Sequence, residues 1–182
     1  VNQNLMLQPR NLVVVEAQSE VQIIERHQSL SDTAVLTNVV TEIFTHKGAQ
    51  VDYYKIQNDC EEASLVDSTY IHQEKHSHAK VHTFSFGGQF IRNNLHFYHK
   101  DQAIQSTMKG ITLVEGKQLV DHHTLVHHAH PHSESHQEYK GIYDGQSTGV
   151  FNGKIVVEQE AQKTNAFQQN NNILMSDKAT IN

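Results

Sequence analysis

The stretch DHHTLVHHAHPH, from Asp121 to His132, holds six histidines in twelve residues. Imidazole is the commonest protein metal ligand and titrates near neutrality. Such density suits a metal site, acid–base catalysis, a pH sensor or a hydrogen-bonded wall, and spacing helps to separate these uses. In an extended chain His122, His128, His130 and His132 share one face with Thr124 and Val126, while His123 and His127 share the other with Leu125 and Ala129. A zinc site needs three or four ligands at about 2.0–2.3 Å in a tetrahedral array. Alternate residues of a strand stand about 6.5 Å apart. His128, His130 and His132 therefore meet one ion only if the chain bends or a neighbouring strand helps. His76 and His78 in KHSHAKVH, with His82 nearby, raise the same possibility. These five, His128, His130, His132, His76 and His78, are the metal candidates.

Catalytic patterns are weak. The sequence has no G-x-S-x-G elbow, no H-E-x-x-H and no G-x-x-x-x-G-K-[ST] phosphate loop. Asp121, His122 and Ser133 can be written as orienter, base and nucleophile, but a triad is defined by geometry. No catalytic residue is assigned, and the chain is expected not to be an enzyme. Arg92, Asn93 and Asn94 offer an anion or partner site; the favoured reading is a turn, with the arginine capping carbonyls and the asparagines stacking. Cys60 is the single cysteine and cannot form an internal disulfide. It reads as a packing residue, and a reducing, cytoplasmic setting is expected.

The elements that must position these residues are strands. Of 182 residues only two are proline and nine glycine, and helical periodicity is scarce. LVVVEAQSEVQIIER, TNVVTEIFTHKGAQVDYYKIQ, KVHTFSFGGQFIRNNLHFYH, STMKGITLVEGKQLVDHHTLV and GVFNGKIVVEQE mix apolar, β-branched and aromatic residues in strand fashion. KGAQ, FGGQ, KGIT, EGKQ, YDGQ and FNGK punctuate them as expected turns. NDCEEASLVDSTYIHQEKH is the one segment with a helical alternative; strand is preferred. Sandwich, barrel and solenoid compete. YDGQ and FNGK keep hairpins open. The tract AFQQNNNILMSDKATIN favours a solenoid, where amides on successive rungs stack and left-handed corners accept asparagine. No strict short repeat is visible, so the solenoid is irregular.

The length fits one domain, residues 1–182. The formal charge is −6, which argues against a general nucleic-acid binder. No apolar run approaches the roughly 18 residues of a membrane helix. The chain opens on Val1 with no signal-like segment, and is expected to begin within a longer protein.

GGQFIRNNL, STMKGITLVEGKQLVDHHTLVHHAHPHSES, YKGIYDG, STGVFNGKI and AQKTNAFQQNNNILMSDKATIN, in that order, resemble the SufB/SufD family of iron–sulfur cluster assembly proteins, on its SufD side. GAQVDYYKIQ resembles it too. The resemblance covers nearly the whole chain and is strongest from Val81 to Asn182. It implies an all-β fold, a right-handed parallel β-helix. It implies a non-enzymatic scaffold whose partners are SufB and the ATPase SufC, with an iron–sulfur cluster held transiently in the full assembly and no cofactor in this segment. The family's helical N-terminal part, its C-terminal SufC-docking part and its cluster-linked histidine have no counterpart here, so no cluster ligand is assigned. Arg92, Asn93, Asn94, Asp121, His122, His123, Thr124, His128, Pro131 and His132 match the family pattern, and a structural role is expected for them. His127 and His130 look like additions, and Ser133 stands where many relatives carry cysteine. Two other readings remain: a histidine-rich metal-binding solenoid, and a carbohydrate-active β-helix enzyme. Neither nucleic acid nor membrane is an expected partner, and exposed rung ends lead us to expect a homo-oligomer.

Overall fold

The structure, a computed structural model, describes residues 5–30 and 32–182. Among these residues every regular element is a strand. In chain order they are β1 (Leu5–Leu7), β2 (Arg10–Val15), β3 (Glu20–His27), β4 (Val35–Thr45), β5 (Gln50–Gln57), β6 (Ser64–Gln73) and β7 (His78–Ser85). There follow β8 (Phe90–His99), β9 (Gln105–Val114), β10 (Leu119–His128), β11 (Glu134–Tyr143), β12 (Thr148–Val157), β13 (Asn165–Leu174) and β14 (Thr180–Ile181). They alternate between two parallel sheets. One runs β1-β4-β6-β8-β10-β12-β14, with β2 also on β4; the other runs β13-β11-β9-β7-β5-β3. From β2 onward each strand thus pairs with the strand two elements away, β1 joining β2 on the edge of β4, and the chain winds as a parallel β-solenoid of about six turns.

A rung takes 27 residues from His78 to Gln105 but 31 from Glu134 to Asn165, which are register partners in turn. The register within each sheet is regular while the loops vary. That variation hides the repeat from a fixed-period reading of the sequence.

Alternation sets the two faces. From β6, β8 and β10, Ile71, Phe97 and Val126 point inward and meet Val81, Met108 and Tyr139 from β7, β9 and β11. Leu65, Ile91 and Val120 form a second cluster with Val114 and Tyr143. Burying each such side chain is worth about 1.5–3 kcal/mol.

The corner before each strand of the second sheet repeats one backbone state. Gln18, Gly48, His76, Ala103, His132 and Lys163 all have positive φ, between 56° and 69°. They stack one above the next: the Gly48 N–H donates to Lys75 O at 3.0 Å, and the His132 N–H to Gln162 O at 3.2 Å. The following residue turns inward, so Ala49, Ser77, Ile104 and Ser133 are fully buried.

Three expectations need correction, and one open alternative closes. KGIT and FNGK are not turns: they lie inside β9 and β12. Their glycines make room instead, since a Cβ on Gly110 would stand 2.2 Å from the Tyr139 ring and one on Gly153 2.3 Å from Gln168. No hairpin occurs among the described strands, because every pairing is parallel. Arg92, Asn93 and Asn94 form no turn but run through β8. The amide tract is strand β13, yet only Gln168 stacks on an amide, Gln137; Asn170, Asn171 and Asn172 sit over Tyr139, Lys140 and Gly141. The segment with a helical alternative does form a strand, from Ser64.

Candidate functional site

β10 carries the histidine tract, and its alternation divides the tract. His122, Thr124 and His128 point into the solenoid and are buried; His123 and His127 face outward. The strand ends at His128, so His130 and His132 belong to the following loop and are exposed. The inward histidines do not stand alone. Across the rung below, His99 lies under His128 and Asn93 under His122.

The first column has a fixed direction. Gln73 Nε2 donates to the carbonyl of Gln105 at 3.1 Å, which settles its amide and leaves Oε1 as acceptor for the Ser106 hydroxyl at 2.6 Å. The Ser106 hydroxyl hydrogen is thereby used, so its oxygen accepts from His99 Nε2–H at 2.6 Å. A neutral His99 then offers a bare Nδ1, 3.0 Å from His128 Nδ1. His128 must donate there, and its Nε2 accepts from Ser135 at 3.0 Å. The wire runs Ser135, His128, His99, Ser106, Gln73. It leaves both rings neutral: a proton added to His99 would set two N–H groups face to face, and one added to His128 would take the Nε2 lone pair that accepts from Ser135. Burial, then the charges of His128 and His127, push His99 down to about 3. Burial, then His127, pushes His128 down to about 4.

The second column starts at Gln57 and Asn93, whose amides pair reciprocally at 2.6 and 3.1 Å. Ser85 donates to Gln57 Oε1 at 2.8 Å. Asn93 donates its second N–H to His122 Nδ1 at 3.3 Å, and His122 Nε2 meets Thr112 at 3.1 Å. Burial first, then the Lys55 and His123 charges, lower His122 to about 4. Thr124 donates to Gln137 at 2.7 Å.

Below these columns lies an ion pair. Lys55 Nζ stands 2.6 Å from Asp67 Oδ2, with both side chains almost fully buried. Lys55 also donates to Thr69 at 2.8 Å, and Thr69 to Asp67 at 3.1 Å. One rung away, Tyr53 donates to Glu25, which meets His27 at 3.0 Å. Burial works against the charged form of Glu25, but the His27 hydrogen bond and the Lys55 charge outweigh it and lower its pKa. Burial likewise opposes His27 protonation, and the Glu25 contact outweighs it and raises that pKa.

Outside, Arg92 pairs with Asp121 at 2.5 Å and donates to Asn94 at 3.0 Å; Asn94 donates to Ser68 at 3.2 Å. His123 lies 2.9 Å from Asp121, and His127 lies 2.7 Å from Glu158. Phe44, His72 and Tyr98 stack at 4.8 and 5.1 Å up the same sheet.

The paper triad is not assembled. Asp121 faces outward to Arg92, His122 faces inward to Asn93, and Ser133 accepts from the Ile104 N–H at 3.2 Å. The metal candidates are likewise dispersed: His128 lies inside, His130 and His132 in an exposed loop, His76 on an exposed corner and His78 half-buried on β7. Among the described residues no group of three His, Cys, Asp or Glu side chains is placed to hold one ion. Pro131 lies in the same loop, its carbonyl accepting from the Ala103 N–H at 3.4 Å.

Sequence reasoning passed over His99, Gln73, Lys55, Asp67 and the Glu25–His27 pair. The signal was a register rather than a motif: His99 and Asn93 each precede their partners, His128 and His122, by 29 residues.

The chain is similar to known proteins along its whole length. Residues 1–182 match the SUF system FeS cluster assembly, SufBD core domain. An iron–sulfur cluster assembly SufBD family protein of Synechocystis is 34% identical over 98% of this chain and 41% of its own length. The chloroplastic protein ABCI7 of Arabidopsis thaliana is 28% identical over 96% of the chain and 37% of its length. Iron–sulfur cluster assembly protein SufD of Escherichia coli is 25% identical over 90% and 38%. The chain therefore spans about two fifths of the length of these relatives. With the family domain matched from end to end over a parallel solenoid, the chain belongs to the SufBD family of iron–sulfur cluster assembly proteins.

Proposed function

We propose that this chain is the solenoid core of a SufD-like, non-enzymatic scaffold subunit that works with SufB and SufC in the cytoplasm, the cluster residing in the assembly only transiently. The observation that carries the reading is the inner wall. Its histidines, amides and hydroxyls are spent on one another across rungs, as in the run from Ser135 to Gln73. A wall so bonded resists deformation and holds two sheets in register, which is what a platform for partner subunits requires. The outward edge of β13 pairs with no other described strand. Such an edge suits strand-to-strand association with another subunit.

Co-purification of the full-length protein with SufB and SufC tests the proposal. A stable complex is expected, and its absence at micromolar concentrations removes the SufB–SufC assignment. Elemental analysis of untagged protein tests the metal-binding alternative: stoichiometric zinc or iron surviving dialysis would favour it.

A further inference from the structure

Where the strands of the β3–β13 sheet turn back toward the other sheet, the loops enclose a trough of about 1080 Å³. It collects residues from six successive loops, from Asp32 after β3 to Met175 after β13. Rungs are spaced about 4.8 Å apart, so five steps make a trough roughly 24 Å long. A helix of about 16 residues has that length.

Its floor is apolar and uncovered. Phe86, Leu113, Ile142 and Met175 are 39, 52, 40 and 63% exposed, and all line it. Ile142 stacks directly over Leu113. The rim is acidic: Asp32, Asp59, Glu61, Glu62, Glu115 and Asp144 surround it, against the single ammonium of Lys117. Among the described residues none of these six carboxylates is in an ion pair. A contiguous apolar strip inside a one-signed rim marks an interaction surface and selects its partner by charge.

We propose that this trough docks a basic amphipathic helix, a partner segment with an apolar stripe flanked by lysine and arginine. A second copy of this chain fits poorly, since its net charge is also negative. Anionic lipid fits no better against the same carboxylates. The proposal rests on the trough alone and does not use SufB or SufC.

Cys60 lines the trough and is half-buried, so it reports occupancy. The full-length protein is mixed with a synthetic helical peptide of about 16 residues, leucines on one face and lysines flanking them. Alkylation of Cys60 is followed by mass spectrometry and binding by fluorescence anisotropy. Saturable binding is expected, with alkylation slowed about fivefold and no effect from a peptide carrying glutamates for lysines. Glu61→Lys, Glu62→Lys and Glu115→Lys together should weaken binding about tenfold, as should Leu113→Ser with Ile142→Ser. All five side chains are exposed, and circular dichroism checks the fold. No saturable binding, equal binding of the reversed peptide, binding without protection of Cys60, or affinities unchanged by both sets of substitutions would each overturn the proposal. Protection that rises with protein concentration alone would assign the trough to a second copy and also overturn it.

Discussion

His99, His122 and His128 are held below the ordinary histidine value of 6.5, at about 3, 4 and 4, chiefly by burial. A group whose pKa is lower in the folded chain takes its proton more readily when unfolded, so acid favours unfolding. Their stabilising share is complete above about pH 6.5 and drains away as the pH falls toward about 4. At pH 5 each has forfeited on the order of 2 kcal/mol. His27 runs the other way: its raised pKa gives stability below the unfolded value that is lost as pH rises through the folded one. Three outvote one. Urea midpoints should fall steeply between pH 7 and pH 5, and a flat profile would contradict neutral interior rings. Lys55 and Asp67 give a second residue-scale prediction. Lys55→Met strands a buried carboxylate and should cost about 3–5 kcal/mol, whereas Lys55→Met with Asp67→Leu should recover most of it. Equal losses in the single and double variants, by chemical denaturation, would mean that the pair is not the source of the cost.

At the scale of strands and corners, glycine has two distinct uses. Gly116 has a φ of +61° and nothing near its missing Cβ, so its constraint is backbone conformation. Gly110 sits mid-strand, where the Tyr139 ring fills the space of a side chain. Gly110→Ala should therefore cost about 1–3 kcal/mol by overpacking, and Tyr139→Leu in the same chain should relieve part of it. Thermal melts of the two variants decide the matter; an unshifted Gly110→Ala would place the ring elsewhere. The same contrast explains what was legible in the sequence. β-Branched alternation announced strands, and KGAQ and YDGQ announced real corners. KGIT and FNGK resemble these in residue type, yet Gly110 answers to Tyr139 one rung away and Gly153 to Gln168 on the opposite sheet. Nor does Arg92-Asn93-Asn94 betray its role locally: Asn93 turns inward to Gln57, which lies 36 residues earlier, while Arg92 turns outward to Asp121. The division of Asp121–His128 between two faces followed from period two alone. The partners of those faces did not, because unequal loops separate them in the chain.

For the whole molecule, the solenoid sorts the histidines into two populations with opposite consequences. The chain carries 15 histidines and a formal charge of −6 at pH 7. His76, His130, His132 and His136 are exposed on the surface. His99, His122 and His128 are inside, with their nitrogens committed to the wall. Mild acid brings the net charge toward zero near the sequence pI of about 6.2. Repulsion between molecules is then least, and association is favoured. Solubility should pass through a minimum near that pH with native circular dichroism retained, and recover on return to pH 8. The interior histidines reward unfolding increasingly from about pH 6.5 downward, and by about pH 5 the accumulated loss is large, so below that the recovery should become incomplete and the strand signal should fade. Light scattering and far-ultraviolet circular dichroism on one pH series separate the two events. Solubility that stays constant from pH 8 to pH 5, or a spectrum lost at the solubility minimum itself, would refute this division of the histidines by the wall.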